Sequence, residues 1–76
     1  MKQSYFRAFL KARGYNNNQI LALQRFGYES AKDAHESEKE NFIDFKHYVM
    51  NIGRDFVVDN IDDLVIDDDG NVTWSE

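Results

Sequence analysis

Apolar positions in the first half of the chain recur at spacings of three and four. Tyr5, Phe6, Phe9 and Leu10 form one stripe with Arg7, Lys11 and Arg13 on the other face, which predicts an amphipathic helix over residues 4–13. A second stripe, Ile20, Leu21, Leu23 and Phe26, follows the Asn16-Asn17-Asn18 cluster, whose side-chain oxygens suit the exposed amides of a helix start. Phe42, Ile43, Phe45, Tyr48, Val49 and Ile52 make a third, preceded by Ser37-Glu38-Lys39-Glu40, the spacing of a capping box. Gly14, Gly27 and Gly53 each follow an apolar-periodic stretch, where a helix C-terminus favours a residue that accepts positive φ, so each is read as a helix end. Residues 30–36 have a weaker cap and two alanines, enough for one or two helical turns.

Beyond Gly53 the period changes. Phe56-Val57-Val58 and Leu64-Val65-Ile66 are β-branched clusters in an acidic background, and Asp67-Asp68-Asp69-Gly70-Asn71 is dense in turn formers before Val72-Thr73-Trp74. Residues 64–74 are therefore expected to form a β-hairpin, with Gly70 or Asn71 at the positive-φ position. A lone hairpin is marginal in water, so Trp74 and one face of Leu64 to Ile66 should pack on the helices. The segment around Phe56 fits a short helix and a strand equally.

The fold class that follows is mainly α, a small bundle of three to four helices with a short C-terminal β-hairpin. It forms one domain over 1–76, helical to residue 53 and acidic from residue 54. The expected core is Tyr5, Phe6, Phe9, Leu10, Ile20, Leu21, Leu23, Phe26, Phe42, Phe45, Tyr48, Val49, Ile52, Leu64 and Ile66. Phe45, in the middle of the third stripe, is expected to cost about 3 to 5 kcal/mol on truncation to alanine.

Composition narrows the function classes. At 42% hydrophobic and 30% charged the chain is too apolar for wholesale disorder. Without cysteine it has no disulfide, no thiolate nucleophile and no thiolate zinc site. No apolar run reaches the roughly 20 residues that span a bilayer, and the opening residues lack the apolar stretch of a signal peptide, so a cytoplasmic, membrane-free protein is expected. The net charge of -5 conceals a polarity: residues 1–28 carry +5, residues 29–53 carry -3 and residues 54–76 carry -7. Such asymmetry marks a nucleic-acid arm, an acidic contact face, or two ends that neutralise each other in the folded domain.

No arrangement of reactive side chains rises to a catalytic motif. With Gly70 at the obligatory glycine of an EF-hand loop, Asp67, Asp69 and Glu76 fall on ligand positions, but Val65 takes the first ligand's place, so a hairpin turn explains the same letters. His35 and His47, twelve apart, lack a ligand spacing and are read as surface histidines. None of the serines sits in a nucleophile elbow, and the four glycines stand too far apart for a phosphate cradle. A helix-turn-helix with its turn at Gly27 would present Glu29, Asp33, Glu36 and Glu38 to phosphate, with only Lys32 in favour. The expectation is a non-enzyme with neither cofactor nor metal.

Ser4-Tyr5-Phe6-Arg7-Ala8-Phe9-Leu10 and Tyr48 to Val57, followed by Ile61-Asp62-Asp63-Leu64, resemble the opening and later helices of the YozE-type family of small SAM-like helical proteins. The likeness covers about a third of the chain and rests on common aromatic and apolar letters. A proline-containing middle segment of that family has no counterpart here, and the turn at 67–71 with Trp74 lies beyond it. The resemblance implies a helical fold and carries no activity.

By elimination the chain is expected to be a protein-binding or regulatory module. Its contact residues are expected among the acidic Asp59, Asp62, Asp63, Asp67 and Asp68 or the basic Arg7, Lys11 and Arg13. A second expectation is an acidic inhibitor of phage or mobile-element type that mimics nucleic acid, and a third is a weak nucleic-acid binder using the first helix, which the sparse cations disfavour.

Overall fold

A computed structural model describes residues 1–75. The order is α1 (Gln3–Ala12), α2 (Asn17–Ala34), a 3₁₀ segment Glu36–Asn41, α3 (Phe45–Asp59), a 3₁₀ turn Ile61–Asp63, and the strands β1 (Leu64–Ile66) and β2 (Val72–Trp74). The protein is thus mainly helical with a C-terminal two-stranded antiparallel hairpin.

Helix α1 buries Phe6 and Leu10 completely and ends where its glycine directs. Gly14, at φ +94°, donates to the Lys11 carbonyl at 3.0 Å, and Tyr15 donates to the Leu10 carbonyl at 3.1 Å, the paired bonds of a Schellman motif. Helix α2 opens on a reciprocal capping box: the Asn16 side chain accepts from the Gln19 amide at 2.8 Å, and the Gln19 side chain accepts from the Asn16 amide at 3.0 Å.

Gly27 and Gly53 are not helix ends. Both lie inside helices, on the stripes Ile20, Leu23, Gly27, Ala31 of α2 and Val49, Gly53, Val57 of α3, all buried. There α2 and α3, which share the largest helix interface, touch backbone to backbone. A Cβ on Gly27 would stand 2.4 Å from the Gly53 carbonyl oxygen, and one on Gly53 would stand 2.7 Å from the Gly27 carbonyl. Each glycine weakens its own helix by roughly 0.5–1 kcal/mol, and the close approach offsets that cost. The helix expected over 30–36 is, as far as Ala34, the last part of α2, with His35 its C-cap and Glu36 in the 3₁₀ segment, and the ambiguous Phe56 segment is the last part of α3. With α2 continuous through Gly27, the two helices and turn of a helix-turn-helix do not exist there.

The third helix also starts later than its sequence suggests. Residues Glu36–Asn41 form a 3₁₀ segment with no side-chain cap and no buried residue, and Phe42 is extended at φ -123°, ψ 133°. The capping-box letters lack an apolar face to hold a helix against the core, and a short isolated helix is unstable in water. The working cap is Asp44, which accepts from the His47 amide at 3.3 Å. The bond to this amide and to the His47 imidazole, the latter the larger influence, holds the Asp44 carboxyl below its ordinary range.

The core joins Phe6, Leu10, Ile20, Leu23, Val57, Ile61 and Leu64, with Phe9, Phe26, Ile66 and Tyr15 among the side chains packed around it. Val57 and Ile61 were not expected there. Conversely Tyr5 is 60% exposed, Leu21 55% and Phe42 36%, while Phe45, Tyr48 and Ile52 are half-buried. Each helix buries one stripe fully, and the apolar residues on the neighbouring stripe are half-buried or exposed.

The hairpin pairs Leu64 with Trp74, Val65 with Thr73 and Ile66 with Val72. Trp74 sits edge-on to Phe26 and Phe56, with ring centroids 6.0 and 5.8 Å away, which docks β2 on both long helices. At the turn Gly70 takes φ +89°, and the Asp67 carboxylate accepts from the amides of Asn71 at 2.8 Å and Asp69 at 3.0 Å and from the Asn71 side chain at 3.1 Å. Those bonds, Asn71's first, hold the Asp67 carboxyl below the ordinary aspartate range. A carboxyl lowered on folding contributes stability above its unfolded pKa and loses it as pH falls through the folded value. The Asp67 carboxyl carbon is therefore expected to titrate on the acid side of an ordinary aspartate, with the Asn71 amide proton moving at the same midpoint. An ordinary midpoint in the NMR titration would show that the turn does not hold the carboxylate.

Candidate functional site

The fold interlocks the two charged ends of the chain. Arg13, just past α1, forms an ion pair with Asp62 in the turn after α3. At the other end of α1 the N-terminal ammonium lies 3.5 Å from Asp55, and Arg54 donates to the Met1 carbonyl at 2.9 Å. Helix α1 is thus fastened at both ends to the C-terminal part of α3 and the turn behind it. Of the other α1 cations, Arg7 donates to the Asn17 side chain at 3.2 Å, while Lys11 is exposed and makes no ion pair among the described residues. The Arg13–Asp62 pair is exposed enough for solvent to screen it, so a double-mutant cycle with Arg13→Gln and Asp62→Asn is expected to give a coupling of about 0–1 kcal/mol. A coupling well above that range in a thermal-melt cycle would mark the pair as a structural clamp.

The acidic residues divide into two groups. Asp55, Asp59, Asp62 and Asp63 follow the outer side of α3 into the 3₁₀ turn, and Asp67, Asp68 and Asp69 sit at the hairpin tip. The Asp63 carbonyl accepts from the Ser75 amide at 2.7 Å, which puts Asp63 at the base of the hairpin. At about 3.3 Å per residue, β1 then carries the tip roughly 13 Å away. The acidic contact residues expected from the sequence are therefore divided between a ridge and a separate tip. Asp59, Asp63 and Asp68 are exposed with no cationic partner among the described residues, whereas Asp67 is occupied by its own turn.

The two imidazoles take separate carboxylate partners. His35 pairs with Glu38 and meets Tyr48 edge-on at 5.8 Å, and His47 pairs with Asp44 at the start of α3. Among the described residues no three histidine or carboxylate side chains cluster as a metal site. Val65, at the first position of the calcium-loop alignment, lies in β1, and Glu76, at the twelfth, is outside the described residues.

Two grooves have no counterpart in the sequence pattern. An open groove of ≈ 370 Å³ runs between α2 and α3, lined by Leu21, Gln24, Arg25, Tyr28, Lys46 and Met50. A second, of ≈ 460 Å³, lies between α2 and the hairpin tip, where Glu29 and Asp69 join Arg25 in the lining. Leu21 and Arg25 border both. The available signal was Leu21 and Tyr28, seven apart on the stripe beside the buried one.

No protein-family model matches the chain, and neither a curated protein nor a solved structure matches it. Among the described residues no helix is long and apolar enough to cross a membrane.

Proposed function

We propose that the chain is a non-enzymatic protein-binding module whose contact surface is the acidic ridge at Asp59 and Asp63. The observation that carries this reading is the unequal use of the two charge sets. Arg13 is tied to Asp62 and Arg7 to Asn17, while Asp59 and Asp63 face solvent with no cation among the described residues to neutralise them. A surface of unpaired carboxylates raises encounter rates with a basic partner and rejects acidic ones. Nucleic-acid mimicry draws on the same ridge, but Arg13 places positive charge within it, which favours a protein partner. A nucleic-acid contact through α1 has Lys2 and Lys11 as its cations without a partner among the described residues, a weak footprint for phosphate. The YozE-type resemblance adds no activity to this reading.

The test is capture from host extract, identification of the bound protein, and titration of that protein in purified form. Asp59→Asn with Asp63→Asn is expected to weaken binding about tenfold and flatten its salt dependence. Lys11→Gln should leave it unchanged. Equal affinities for all three proteins would reject the ridge as the contact surface.

A further inference from the structure

The groove between α2 and α3 differs in chemistry from the rest of the surface. The net charge of the chain is -5, yet the lining contains two cations, Arg25 and Lys46, and no acid. Its wall is apolar and open to solvent: Leu21 is 55% exposed, with Tyr28 and Met50 half-buried beside it. The buried Oε1 of Gln24, in the same lining, accepts no hydrogen bond among the described residues. Arg25 approaches Glu29 at 3.6 Å, but both side chains are largely exposed, so the pair is weak and a competing carboxylate can replace it. Lys46 has no ion pair among the described residues.

We propose that this groove docks an acidic amphipathic helix of a partner protein. Apolar side chains at three- and four-residue spacing would contact Leu21, Tyr28 and Met50, and flanking Asp or Glu would meet Arg25 and Lys46. Between Leu21 and Tyr28 the groove follows α2 for about 10 Å, the length of roughly two helical turns, which suits a short helical segment laid beside α2 and α3. Charge selects the occupant, because the lining offers two cations and no carboxylate, and the acids beside them, Glu29 next to Arg25 and Asp44 next to Lys46, lie outside it. The groove is also independent of the ridge. By helical geometry Lys46 and Met50 lie on roughly the opposite side of α3 from Asp55 and Asp59.

A displayed library of random helical peptides tests this, followed by fluorescence anisotropy and amide-shift mapping with the selected peptides. Enriched peptides are expected to carry an apolar stripe flanked by Asp and Glu, and to shift Leu21, Tyr28 and Met50. Lys46→Glu and Leu21→Ser should each weaken them about tenfold at an unchanged melting temperature, since both positions are exposed. Asp59→Asn with Asp63→Asn should not, which separates this site from the ridge. Enrichment of Lys- or Arg-flanked peptides, no enrichment, or binding indifferent to Lys46→Glu and Leu21→Ser would overturn the proposal. Shifts at the groove that grow with protein concentration alone would assign it to a second copy, and shifts produced by duplex DNA would assign it to nucleic acid; either result also overturns it.

Discussion

Gly27→Ala is expected to lower the melting temperature by roughly 10–20 °C. In an ordinary helix the same change stabilises by about 1 kcal/mol, because alanine is the better helix former. Here the new methyl would stand 2.4 Å from the Gly53 carbonyl oxygen and 2.7 Å from Val57 Cγ2. The first contact is with backbone, so no rotamer change relieves it, and α2 must move off α3. A backbone clash this close sits at or above the top of the overpacking range, about 3–4 kcal/mol, which leaves about 2–3 kcal/mol after alanine's helical gain, and a domain of this size shifts about 4–8 °C per kcal/mol. Gly53→Ala should behave alike, since its methyl would stand 2.7 Å from the Gly27 carbonyl. Gly14→Ala is an informative contrast: nothing lies within 4 Å of that Cβ, so its cost comes from φ +94° alone, about 1–2 kcal/mol. Thermal melts in which Gly27→Ala is as stable as the parent would show that α2 and α3 do not cross at these glycines.

Phe6→Ala should destabilise by about 3–5 kcal/mol, a large part of the whole stability of a domain this small. Phe6 is fully buried and joins residues of α1, α2, α3 and β1 in one cluster. Its loss leaves a cavity where three helices and the hairpin meet, and α1 keeps Leu10 as its only other completely buried side chain. Phe45→Ala, expected from the sequence to be as severe, should cost only about 1–2 kcal/mol, because Phe45 is half-buried outside that cluster, with Tyr48 at a ring separation of 6.4 Å. Denaturant titration ranks the two directly. A Phe45→Ala protein less stable than Phe6→Ala would move the centre of the core to the start of α3.

The legible parts of the fold are those written in local chemistry. Gly14 ends α1 because the chain needs one positive-φ residue there, and the cap from the Asn16 to Asn18 cluster and the Asp67 to Asn71 turn are likewise complete within a few residues, although Gln19's reciprocal bond appears only in the structure. The illegible parts depend on partners distant in sequence. Gly27 carries the letters of a helix end, and only Gly53 on another helix explains why the helix continues. Ser37 to Glu40 satisfies a capping rule, but nothing apolar in Glu36–Asn41 faces the core, so the rule has no helix to stabilise. The charge polarity was visible from the count alone. Its resolution into the Arg13–Asp62 pair, a fastened N-terminus and a remainder at Asp59 and Asp63 without a cation among the described residues required the helices to be placed. The α2–α3 groove is built from secondary stripes of two helices, neither of which stands out by itself.

Site-specific photo-cross-linking in host extract tests the acidic ridge most directly, with benzoylphenylalanine introduced at position 63 in one protein and at position 11 in another. Both positions are exposed, so neither replacement disturbs the core. The expected result is a discrete protein adduct from position 63 that fades at about 0.5 M salt, where charges are screened over a few ångströms, and none from position 11. Adducts from position 11 alone, or equally from both, would contradict the ridge as the contact surface.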